Sequence, residues 1–156
     1  MANVLQLLHL IAAIVWMGGM TFMLFALRPA ALTLLEPQPR LRLMGEVWRR
    51  FFSIVGVAVL VLLATGGHMF AVGFKAMKTA TGAGSVPFGW VVMLVLGVVM
   101  CLIFGHIYFA GLRKFQRLVA AAQWPEAGKV ATQIHTMVIA NFVLGWVAIV
   151  SMRLLH

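Results

Sequence analysis

A chain of 156 residues that is 63% hydrophobic, 10% charged and free of aspartate has too little polar surface for a soluble domain of its size. Its net charge of +9 would suit nucleic acid, but the basic residues fall between apolar runs rather than on a polar face. The expected partner is a lipid bilayer with anionic headgroups, and nucleic acid is excluded.

The first apolar run covers residues 2–27. Its flank, Met1-Ala2-Asn3, has no basic residue and the run outlasts a signal-peptide core, so it reads as a retained helix. Arg28-Pro29 is expected to end it, because proline disfavours helical geometry in the residue before it. Glu36-Pro37-Gln38-Pro39 reads as a rigid break, and residues 40–50 as an amphipathic lead-in to a second run, 51–74. A Gly/Thr/Ser turn over 79–85 leads to a third run, 86–112, and Trp124-Pro125-Glu126 punctuates a basic loop before the last, 130–152. Each run exceeds the ~20 residues that cross a ~30 Å hydrocarbon layer. Residues 1–156 therefore read as one all-α domain, an integral membrane four-helix bundle.

The 28–50 and 113–129 connections hold nine of the twelve basic residues. Short basic loops stay in the cytoplasm, which places both termini and the 75–85 loop outside, in the periplasm if the membrane is a bacterial inner membrane. Trp48 and Trp124 are expected at the inner interface and Trp90 at the outer one, as an aromatic belt. Cys101 lies mid-run and reads as a small buried apolar side chain with no disulfide partner.

Each run carries one histidine about seven residues from an end: His9, His68, His106 and His135. Alternating helix direction puts His9 and His68 near the outer face and His106 and His135 near the inner one. The two levels are then about 17 Å apart at about 1.5 Å per residue. Ionisable groups in a span usually face the bundle interior, and two imidazoles on facing helices can take both axial positions of a haem iron. No Cys-x-x-Cys-His is present, so the haem would be b-type, one or two per chain. Ala12, Ala13, Gly66, Gly67, Gly105 and Ala131 flank the histidines and would admit a macrocycle, although small residues also serve ordinary helix contact. On that geometry the protein is a cytochrome b-like electron carrier, with quinol or a periplasmic redox protein as partner. Each histidine taken singly can equally be a hydrogen-bonding residue between helices. His156, at the chain end, reads as solvated.

A second set of donors competes. Met17, Met20 and Met23 recur every three residues, Met69 adjoins His68, and Met93 and Met100 share a helical face. Thioethers with imidazoles suit Cu(I), yet methionine is also the adaptable filler of apolar cores, which is the plainer reading. No aspartate exists and Glu36, Glu46 and Glu126 all fall in the basic loops, so no Ser/His/acid set can form within the spans.

The first run reads His9-Leu-Ile-Ala-Ala-Ile-Val-Trp16-Met-Gly18-Gly19, an H-x6-W-x-G-G pattern. With the basic loop, the Trp48-Arg49-Arg50-Phe51 entry and the Gly105-His106 ending, it resembles the copper resistance protein D (CopD) family. A more distant likeness is to the HemJ-type protoporphyrinogen oxidases, another four-helix group associated with haem. The CopD resemblance implies copper uptake or resistance with His and Met ligands and a periplasmic copper partner. The spacing of the histidines favours haem.

Overall fold

The computed structural model describes residues 2–82 and 86–154, and every element among them is helical. Four stretches are long and apolar enough to cross a membrane: Asn3–Leu34, Pro37–Ala80, Phe88–Ala120 and Trp124–Met152. In lipid each backbone N–H and C=O must be satisfied within its own segment, and the helix does this.

The first helix does not stop at Arg28-Pro29. Helix α1 (Ala2–Phe22) widens into a π-helical turn, Met23–Leu27, and continues as α2 (Arg28–Leu34). The Arg28 N–H reaches back five residues to the Met23 carbonyl. Proline then falls at the first positions of α2, directly after the wide turn. The wide turn therefore absorbs a proline that would have kinked a regular helix. The chain breaks instead at Leu35, which turns extended at φ −120° and ψ 135°.

Pro37 opens α3 (Pro37–Thr81), whose 45 residues make one rod about 67 Å long, so the lead-in and the span are continuous. Its end is capped by Gly82 at φ 69°, the left-handed region open to glycine, with the Gly82 N–H on the Lys78 carbonyl. Thr79 to Thr81 are thus helical rather than part of a turn, and positions 83–85 lie outside the described residues, as does His156. Helix α4 (Phe88–His106) passes through a second π turn, Ile107–Gly111, into α5 (Leu112–Ala120). Most of the basic connection after residue 112 is therefore helix. Ala121, Ala122 and Gln123 turn the chain into α6 (Trp124–Leu154).

Side-chain contacts define an antiparallel ring. On α1 and α3, His9 meets Thr65 and Gly19 lies under the Phe51 ring. The Trp90 ring seats on Gly73 to join α4 to α3, and Asn141 bonds the Met100 carbonyl to join α6 to α4. Met17 packs on Gly145 and closes the ring between α1 and α6. Glycine at 73 is favoured by the close approach there, since a Cβ would occupy the place of the rigid Trp90 ring.

The core runs through Trp16, Met20, Phe52, Val55, Phe104, Phe115 and Ile134. Leu7, Ile14, Phe25, Leu60, Leu102 and Val143 are exposed, as residues facing acyl chains should be. At the basic end, Leu112 and Phe115 of α5 are buried while Arg113, Lys114 and Arg117 stand outward. Glu46 there accepts from both Arg49 and Arg50, whose guanidinium groups hold its exposed carboxyl down to about 2. Trp48 is not a belt residue. It is buried against Phe115, at 5.1 Å between ring centroids, while half-buried Trp124 lies under the Arg42 guanidinium at 5.3 Å.

Candidate metal site

The four histidines divide by azimuth, not only by depth. His9 on α1 and His135 on α6 are partly buried, whereas His68 on α3 and His106 on α4 are exposed on the outside of the bundle. His9 meets Thr65, three residues before His68, with Nδ1 2.8 Å from Oγ1. The pairing of Met100 with Asn141 and of Gly111 with Ile134 does bring His106 to the level of His135, but the ring faces away. Each level therefore offers one inward imidazole.

These placements do not fit a bis-histidine haem. A cavity beside His135 is lined by Met23, Leu24, Arg28, Met44, Trp48 and Val138, and its volume is about 10 Å³. That admits one water-sized body, against the several hundred Å³ of a cofactor pocket. The paired sets His9 with His68 and His106 with His135, and the transmembrane electron transfer built on them, are without support in this geometry. No three His, Cys, Asp or Glu side chains converge among the described residues. Any soft-metal site must draw on thioethers.

The thioethers are well placed for that. Met20 and Met23 are 2% and 5% exposed, deep in the core, and their spacing continues the inner stripe of α1 that begins at Ala12 and Trp16. Met17 and Met100 both pack on Gly145. Met69 is half-buried on α3, next to outward-facing His68. Met44 is 7% exposed on the lead-in part of α3. The inner part of α1 and the π turn after it thus carry thioethers at Met17, Met20 and Met23, with His9 about two turns before them.

His9 is held in a defined protonation pattern. The Thr65 hydroxyl donates to the Val61 carbonyl at 2.6 Å, which uses its one proton. Thr65 Oγ1 must then accept, so the His9 Nδ1–H donates to it and the Nε2 lone pair is left available. A metal-ligating histidine is commonly oriented by a hydrogen bond at its other nitrogen in this way. The ring edge lies close over Gly66, where a Cβ would stand 3.1 Å from Cε1.

Three residues escaped the reading of the sequence. Thr65 is a buried hydroxyl within an apolar run, and Met44 follows Leu41 and precedes Trp48 at core spacing. Asn141 is 2% exposed, its amide donating to the Met100 carbonyl at 3.3 Å, and its Oδ1 has no partner among the described residues. A lone amide at the centre of a span was the available signal, since polar groups there are usually functional.

Comparison with known families points to copper handling and lends haem no support. The family model described as Copper resistance protein D matches residues 45–155, well over half of the chain. No curated protein and no solved structure matches, and the HemJ-type likeness has no support beside it. By that match, with four apolar helices that suit a bilayer, the chain belongs to the copper resistance protein D family.

Proposed function

We propose that this protein carries Cu(I) through the bilayer, with thioether and imidazole side chains on the bundle axis as successive ligands. The observation that carries the reading is the burial of Met20 and Met23 on the same face of α1 as Met17, in a core that Met100 enters from α4. Neutral sulfur ligands favour Cu(I) over harder cations, and they hold it without the cost of a buried anion. His9, oriented by Thr65, supplies a nitrogen at one end of the line, and His135 supplies one at the other. The end rich in arginine and lysine is the cytoplasmic one by the charge bias of its connections, and its cations meet anionic headgroups there. A periplasmic copper protein is the fitting partner at the His9 end.

The test is copper uptake by proteoliposomes under reducing conditions. Wild-type protein is expected to admit copper faster than empty vesicles. The Met17→Leu, Met20→Leu, Met23→Leu triple variant is expected to lose that excess while its helical content survives, because the exchange nearly conserves volume. Equal uptake by the two proteins would remove the thioether path.

A further inference from the structure

We propose that Met23, Met44 and His135 form a three-coordinate seat for Cu(I) at the basic end of the bundle, and that Arg28 keeps the seat from holding its ion permanently. The inference rests on the copper reading above and assigns that reading a place.

Three separate segments converge on one small cavity. Met23 opens the π turn after α1, Met44 lies on the lead-in part of α3, and His135 lies on α6. The cavity, of about 10 Å³, has room for one small body. Leu24, Trp48 and Val138 complete its wall. Both thioethers are nine-tenths buried, so the donors face protein rather than lipid or bulk water. Two sulfurs and one imidazole nitrogen are a soft, neutral set, suited to Cu(I) and poorly suited to magnesium, calcium or other hard cations.

The remaining lining group is cationic. Arg28 begins α2, and its backbone N–H closes the π turn onto the Met23 carbonyl, so guanidinium and thioether belong to one rigid turn. Among the described residues Arg28 makes no ion pair: Glu46 is engaged by Arg49 and Arg50, Glu126 by Lys129, and Glu36 pairs with no cation. Repulsion between the guanidinium and a seated Cu(I) therefore goes uncompensated within a low-dielectric wall. The arrangement gives specificity from the ligands and a short residence from the charge, which is what a carrier needs at its exit.

The experiment uses the full chain in detergent, labelled with carbon-13 at the methionine methyls, and titrated with silver(I) as a redox-silent stand-in for Cu(I). The Met23 and Met44 methyl signals are expected to shift first and together, with the His135 ring following the same saturation. Met23→Leu and Met44→Leu are each expected to weaken the affinity at least tenfold while the remaining methyl spectrum stays folded. Arg28→Gln is expected to tighten binding by about tenfold and leave the responding methyls the same. Silver binding that leaves the Met23 and Met44 methyls unmoved would overturn the seat and leave copper handling standing. Unchanged affinity in Arg28→Gln would overturn the role given to the arginine. Wild-type protein that takes up neither silver(I) nor Cu(I) would bring down the copper reading, and the seat with it.

Discussion

His9 and Thr65 show how a single contact can sort residues that look alike in the sequence. The hydrogen bond ties His9 to α3, whereas His68 and His106 project from the bundle. His9→Ala is expected to lower stability in detergent by about 0.5–1 kcal/mol, and His68→Ala and His106→Ala to leave it nearly unchanged. Steric trapping or SDS titration would show the difference, and equal losses in all three would contradict the assigned orientations. Thr65→Val keeps the shape but removes the acceptor, so copper uptake should fall more than stability does. Asn141 invites the opposite comparison. Its orphaned Oδ1 burdens the core, so Asn141→Leu should leave the fold as stable or more so, and a loss of copper handling would mark the amide as retained for function. Depth could be read from the sequence by counting residues from the charged ends, which is why His106 and His135 do share a level. Azimuth could not. In spans hydrophobic on all sides, no polar face tells which side of a helix meets its neighbours.

At the scale of the helix, the two π turns explain why element boundaries were misjudged. Buried positions on the third rod run Met100, Phe104, Ile107, Leu112 and Phe115, spaced four, three, five and three. The five is the wide turn Ile107–Gly111, which inserts a residue and brings Leu112 and Phe115 back to the core face. On the first rod Met23 and Ala31 are likewise both buried across the Met23–Leu27 turn. Proline after such a turn continues a helix instead of ending it, and charged residues beyond the span continue it as an amphipathic rod. The four spans, in contrast, were legible from apolar run length alone, because lipid leaves a spanning chain few alternatives to helix. Two substitutions probe the joints. Gly73→Val would place a branched side chain where the Trp90 ring sits, and is expected to cost about 1–3 kcal/mol in thermal unfolding. Ala122 holds φ 54° in the turn between α5 and α6, so Ala122→Gly should stabilise by up to about 1 kcal/mol. A destabilised Ala122→Gly variant would mean that the turn is not the strained point.

For the whole molecule, the family resemblance and the family match rest on different parts of the chain. The H-x6-W-x-G-G pattern lies on the first rod, while the matching residues are 45–155, on the other three. Both parts meet in the core, where Trp16 of that pattern packs edge-on against Phe104, and its Met17 and Gly19 face Gly145 and Phe51. The direction of the proposed copper movement depends on how this bundle sits in the membrane. Arg40, Arg42, Arg49 and Arg50 on α3 and Arg113, Lys114 and Arg117 on α5 lie on rods that meet through Trp48 and Phe115, so they gather at one end. Positive residues near span ends resist translocation, so on the proposed orientation that end is cytoplasmic and both chain ends lie opposite. A C-terminal alkaline phosphatase fusion in a bacterial host is then expected to be active, and a C-terminal fluorescent fusion of the type that folds only in the cytoplasm to stay dark. The reverse pattern would invert the bundle, making the Met23, Met44 and His135 end the point of entry and the His9 end the exit. Moving charge tests the cause: replacing Arg113, Lys114 and Arg117 by glutamine should yield a mixed population of fusions, because those three side chains supply a third of the nine-residue bias.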